Sequence, residues 1–148
     1  NMTDILAAIG LVELERYEIE TLPKRKDIFK MYSEGLANFD WAIIPEYHNN
    51  VKESSYHLYL LRIKNCSKAQ RDLIIQEIFN QDVSVNVHYK PLPLLSYYKS
   101  LGYELNDFPI AKELWENEIS LPVYYDLTNE QIGRVIDVVV SAVNKILQ

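Results

Sequence analysis

Tyr56-His57-Leu58-Tyr59-Leu60-Leu61-Arg62-Ile63-Lys64 is the stretch from which the fold of this chain can be read. It is rich in aromatic and branched residues and reads as the clearest strand of the chain. Downstream, Ser67-x-x-Gln70 is a capping box that opens a helix, with Leu73, Ile74, Ile78 and Phe79 as its apolar face. Val83-Ser84-Val85-Asn86-Val87-His88-Tyr89 then alternates apolar and polar residues, the signature of a half-buried strand. Pro91 ends that strand and holds Lys90 extended.

Helices and short extended pieces continue outward on both sides. Leu94 to Leu101 reads as a short helix with Gly102 at its C-cap. Asp107 can cap a following helix, with Pro109 in its first turn and Ala111, Leu114 and Trp115 facing inward. Ile119 to Pro122 is a brief strand, and Thr128-x-x-Gln131 is a second capping box. It opens a last helix carrying Ile132, Val135, Ile136, Val139, Val140, Val143 and Ile146.

Upstream, Asn38 to Ser55 is a polar loop around a short extended piece. Thr3 or Asp4 caps a first helix with Ile5, Ala8, Ile9 and Val12 on one face. Pro23 fits the first turn of a second helix over 24–37, or a kink in one long helix. The pattern fits an α+β fold: three or four strands covered by helices, mainly on one face. We expect one domain over 1–148, with N-terminal helices over 3–37 and an α+β body over 56–148.

Composition narrows the function classes. The chain has 148 residues, 48% of them hydrophobic, and a formal net charge of −6. No dense Lys/Arg stripe is present, which argues against nucleic-acid binding. No apolar run approaches the ~20 residues needed to span a bilayer, and no signal peptide is visible. The single Cys66 cannot form an internal disulfide, so a reducing, cytoplasmic location is expected. No metal-ligand spacing, dinucleotide fingerprint, P-loop or serine elbow occurs.

The candidate site residues are histidines and tyrosines. His88 and Tyr89 sit at the mouth of an expected strand, ahead of a loop fixed by proline. Local packing is the competing reading of that pair. His57 opens the best strand, where a locally hydrogen-bonded ring is the plain alternative. His48 lies in a polar loop and reads as solvated. Eleven tyrosines stand against four phenylalanines, with doublets at Tyr97-Tyr98 and Tyr124-Tyr125. They suit a wet amphipathic surface, or a wall for stacking sugars or bases, or a subunit interface.

Several segments, in order, resemble the DegT/DnrJ/EryC1/StrS aminotransferase family. Met2-Thr3-Asp4-Ile5-Leu6-Ala7-Ala8-Ile9-Gly10-Leu11 is similar to its "RMTDIQAAIGL" segment, and Tyr56-His57-Leu58-Tyr59 to its "WHLY" strand. Val87-His88-Tyr89-Lys90-Pro91-Leu92 is similar to "VHYxPL", and Tyr97-Tyr98-Lys99-Ser100-Leu101-Gly102-Tyr103 to "YYRxLGY". Phe108-Pro109-Ile110-Ala111, Ile119-Ser120-Leu121-Pro122 and Leu127-Thr128-Asn129-Glu130-Gln131 resemble "FPxAE", "xSLPL" and "LTxEQ". Two departures stand out. Asn1 replaces the family's usual basic residue, and Pro93 stands where many members have a second histidine after "PL".

The resemblance implies the small C-terminal domain of a fold type I enzyme that uses pyridoxal 5'-phosphate. Such enzymes move an amino group, typically from glutamate, to a nucleotide-linked keto sugar. It also implies that the large domain with the Schiff-base lysine lies outside this chain. The fragment alone is then expected neither to hold the cofactor nor to transaminate. His88 and Tyr89, with His57 behind them, would contact the substrate, with no catalytic residue and no metal in the fragment. A homodimer is implied, and the first helix would pack on the absent domain. A pyridoxamine-phosphate-dependent sugar dehydratase and a stand-alone binding module remain the alternatives.

Overall fold

In the computed structural model, which describes residues 2–147, the chain opens with α1 (Asp4–Arg16). Thr3 caps α1, its hydroxyl accepting the Leu6 N–H at 3.4 Å. A single π-helical segment, Tyr17–Thr21, joins it to α2 (Leu22–Leu36). Both readings of Pro23 are met: it stands in the first turn of α2, and the π-helical turn runs α1 into α2 as one distorted helix. The Leu22 N–H reaches back five residues to the Tyr17 carbonyl. A widened turn is one way to absorb the donor that proline lacks and its clash with the preceding turn.

The sheet has three antiparallel strands in the order β1 (Ala42–Ile43), β2 (Tyr59–Ile63) and β3 (Glu118–Leu121). In the β2–β3 register, Tyr59 stands opposite Leu121, Leu61 opposite Ile119, and Arg62 opposite Glu118. Successive strand side chains alternate faces. Tyr59, Leu61, Ile63, Ile119 and Leu121 join the core formed with α2, α3 (Lys68–Phe79) and α6 (Asn129–Leu147). Leu60, Arg62, Glu118 and Ser120 are in the other phase.

Ile28, Phe29, Tyr32 and Leu36 of α2, Ile74 and Ile78 of α3, and six residues of α6 from Ile132 to Val143 complete the core. Phe29 meets Tyr47, Tyr56 and Tyr59 edge-on at centroid distances of 5.0–5.4 Å. Three of the many tyrosines, Tyr32, Tyr56 and Tyr59, are therefore core residues. Both expected capping boxes form. Ser67 and Gln70 exchange bonds of 3.0 and 3.3 Å, and Thr128 and Gln131 bonds of 2.9 and 3.2 Å.

Two expectations change. Val83 to Tyr89 is extended but is not a strand; its only ladder link is the bridge from Asn86 to Ser120. Val83 and Val85 are buried, as the alternation predicts. The ladder stops because side chains take the next donors. Asn86 Oδ1 accepts the Val87 N–H at 2.7 Å, and Glu118 Oε2 accepts the His88 N–H at 3.0 Å. Asp107 does not cap the helix α5 (Pro109–Glu116), because it lies in a 3-10 turn over Leu105–Asp107 and leaves Phe108 at the cap position.

The connection across this side of the molecule also holds a 3-10 turn at Leu92–Leu94 and the short α4 (Ser96–Ser100). Gly102 closes α4 at φ 85°, where glycine is unstrained. No described helix is long and apolar enough to cross a membrane.

Candidate functional site

The residues of the second strand phase meet the 88–91 segment and α5 in one cavity. It has a volume of about 430 Å3, and its lining includes Leu60, Arg62, His88, Tyr89, Trp115 and Glu118. Ala111 and Leu114 of α5 also face it. The apolar face expected on α5 thus lines a cavity, and none of the helix is buried. A second groove of about 290 Å3 runs on the other side of His88, with His57 and Ser120 in its wall.

His88 is the junction between the two hollows. Its ring meets Tyr89 edge-on at 4.8 Å, and the peptide joining the two residues is cis. Tyr89 is 72% exposed, so its hydroxyl is open to a ligand. His57 is also exposed, at the margin of the second groove. The structure therefore brings His57 and His88 to one groove and His88 and Tyr89 to one cavity. His48 is apart from both, in an exposed bridge with Glu53.

Strand reasoning missed the residues behind His88. Glu118 is only 4% exposed. Its carboxylate accepts the His88 backbone N–H and the Ser120 hydroxyl, and Ser120 Oγ lies 2.8 Å from His88 Nδ1. Burial pushes the Glu118 carboxyl above its usual range, and the Ser120 and His88 hydrogen bonds oppose that rise. Arg71, 2% exposed, donates to the Glu118 carbonyl at 3.2 Å. The Arg71 guanidinium also lies 5.6 Å from the Trp115 ring centroid, so one cation braces both walls of the cavity.

Arg62 enters the cavity differently. Among the described residues no side-chain hydrogen bond or ion pair engages its guanidinium, although Glu118 is its cross-strand neighbour. The strand expected at Ile119–Pro122 leaves Glu118 out, and its shared phase with Ser120 emerges only with β3 at Glu118–Leu121. A third, apolar hollow of about 400 Å3 adjoins the first and is lined by Leu92, Pro93, Tyr98, Tyr103 and Phe108. Pro93, one of the two departures from the family pattern, lies in that wall.

The comparisons agree with this architecture. Residues 1–140 match the DegT/DnrJ/EryC1/StrS aminotransferase family. The chain belongs to that family. It is 41% identical, over 99% of its length, to an uncharacterised protein of Methanocaldococcus jannaschii, of which it covers 37%. It also superposes on a Streptococcus pneumoniae protein described as a sugar aminotransferase, solved in its PLP form. There the TM-score is 0.94 at 41% identity, covering all of this chain and 37% of the other. A transaminase of Campylobacter jejuni acting on UDP-4-amino-4,6-dideoxy-N-acetyl-beta-L-altrosamine is 26% identical over 98% of this chain and 38% of its own length. The chain thus spans little more than a third of the relatives it matches. Its fold is that of the small domain of fold type I enzymes, with a three-stranded antiparallel sheet and helices.

Among the described residues no lysine lines either hollow at His88, so neither hollow presents an amine that could hold pyridoxal phosphate covalently.

Proposed function

We propose that this chain is the substrate-facing C-terminal domain of a cytoplasmic sugar aminotransferase. The whole enzyme transfers an amino group from an amino acid, glutamate by preference, to a keto group on a nucleotide-linked sugar. The observation that carries this reading is the superposition of this whole chain on 37% of the Streptococcus pneumoniae protein in its PLP form. Pyridoxal phosphate supplies the electron sink in the whole enzyme, held by a domain outside these 148 residues. Alone, this chain neither binds the cofactor nor transaminates.

The roles here are recognition and orientation. His88 and Tyr89 offer hydrogen bonds to sugar hydroxyls from one cavity, and His57 reaches the adjoining groove. The unpaired Arg62 guanidinium suits an anionic group of the substrate, a phosphate or a carboxylate. The enzyme works as a homodimer.

The test uses the full-length enzyme that carries this domain, given glutamate and a nucleotide-linked 4-keto sugar, with products read by mass. Formation of the amino sugar is expected, with Tyr89→Phe and His88→Ala raising KM. A product that has lost water in place of gaining an amino group would move the assignment to the related dehydratases. The 148-residue chain mixed with pyridoxal phosphate should show no absorbance beyond that of the free cofactor.

A further inference from the structure

The bonds behind His88 have a direction, and the direction fixes where the ring proton sits. Glu118 has two carboxylate oxygens, both engaged. Oε2 accepts the His88 backbone N–H at 3.0 Å, and Oε1 accepts the Ser120 hydroxyl. An ionised carboxylate can only accept, and a hydroxyl has one proton to give. Ser120 gives that proton to Glu118, so Ser120 Oγ can only accept from His88 Nδ1, 2.8 Å away. Nδ1 then carries the proton of the neutral ring. Nε2, which no described residue engages, is left with a lone pair.

We propose that Glu118 and Ser120 are positioning residues that lock His88 in its Nδ1–H tautomer and present Nε2 as a hydrogen-bond acceptor to the bound sugar. Presentation to a sugar rests on the aminotransferase reading; the tautomer lock does not. The lock is anchored at both ends. The backbone bond from His88 to Glu118 prevents the carboxylate from turning away. The Asn86–Ser120 bridge, with N···O distances of 2.8 and 3.2 Å, holds the two segments in register. Arg71 grips the Glu118 carbonyl from the α3 side. An acceptor at Nε2 selects a donating partner, such as a sugar hydroxyl or an ammonium group, and disfavours a phosphate or carboxylate oxygen at that point. The cavity's anionic ligand group is thereby directed to Arg62 and away from the imidazole.

The lock is tested by long-range proton–nitrogen correlation spectra of the 15N-labelled 148-residue chain at about pH 9, where a histidine ring is neutral. Only three histidines contribute, and substitution of each assigns them. In the unmodified chain His88 should show a protonated Nδ1 and a bare Nε2, the opposite of the tautomer that free histidine favours.

Glu118→Gln should invert the pattern. The His88 backbone N–H still requires an acceptor and takes the amide oxygen, so the amide NH2 faces Ser120. The serine proton is then free to be given to Nδ1, and the ring proton moves to Nε2. Ser120→Ala should release the ring to a mixture weighted toward Nε2–H, and Ser120→Thr, which keeps the hydroxyl, should retain the original pattern. An Nε2–H ring in the unmodified chain overturns the proposal, as does an unaltered Nδ1–H ring in Ser120→Ala. If Glu118→Gln does not fold, the two serine variants decide. No substrate enters the measurement, so failure of the aminotransferase assignment and failure of the lock are read separately.

Discussion

A carboxyl group held at 4% exposure, without a cation bonded to it, is costly to ionise. Its pKa is raised because burial disfavours the charged form more than its two donors favour it. The folded state therefore holds the Glu118 proton more tightly than the unfolded chain does. Stability from this group is fully present below the unfolded value of about 4.3 and is lost as pH rises through the higher folded value. Glu46 and Glu53 act oppositely, because hydrogen bonds from Lys52 and from Lys26 lower their pKa values. Those terms cancel when two proteins differing only at Glu118 are compared. Urea unfolding of the chain and of Glu118→Gln at about pH 4 and pH 7 should show the natural residue at a relative advantage in acid. An unchanged difference would mean that Glu118 is solvated in solution. A second residue-scale outcome concerns Tyr32, whose hydroxyl donates to the Pro122 carbonyl at 2.9 Å from a buried position. Tyr32→Phe should lower the unfolding free energy by about 0.5–1.5 kcal/mol. At this scale the exposure of His57 and Tyr89 was legible in the sequence, from their places beside strands or prolines. Glu118 and Ser120 were not, because their role depends on which segment bridges β3, and that pairing joins residues more than thirty positions apart.

Among the elements, the packing of α2 on α6 turns on one glycine. A methyl group at Gly35 would lie 2.6 Å from Ile136 Cδ1 and 3.3 Å from Cγ2. Alanine is favoured over glycine inside a helix by about 1 kcal/mol, so propensity and contact oppose each other here. Ile136→Val removes the Cδ1 atom. Gly35→Ala should therefore be more favourable in the Ile136→Val background than alone, read as a coupling energy in a double-mutant cycle by chemical denaturation. A coupling of zero would mean that the two helices respace freely. The elements were legible wherever local chemistry decides them. Ser67 and Thr128 carry their boxes within four residues, and the aromatic and branched content of Tyr56 to Lys64 marks β2. They were less legible where a distant group intervenes. The valines at 83 and 85 are buried as a strand's would be, yet the ladder is cut to one bridge by Asn86 and by a carboxylate from β3. Pro23 was ambiguous because first-turn and mid-helix prolines look alike until the widened turn before it is seen.

On the scale of the whole molecule, α1 is the element without a home. None of its residues is buried, and Ile5, Ile9 and Val12 are 76%, 57% and 54% exposed. Leu11 and Leu14 add further apolar surface on other sides of the helix. Fully burying one such side chain contributes about 1.5–3 kcal/mol, so a few of them covered together give a strong drive to associate. Exposed apolar area of this extent favours contact between copies of the chain through α1. Sedimentation velocity across a concentration series should show a dimer or larger species. Ile9→Glu with Val12→Glu should shift the chain toward monomer, since a charge on each of two helical turns makes the covered state costly. The same double substitution should leave the thermal unfolding of the α+β body nearly unchanged, because neither side chain touches the core. A monomer at every concentration, with α1 still helical by circular dichroism, would mean that this surface tolerates water as it stands. A loss of helicity without association would mean that α1 keeps its form only when another surface covers it.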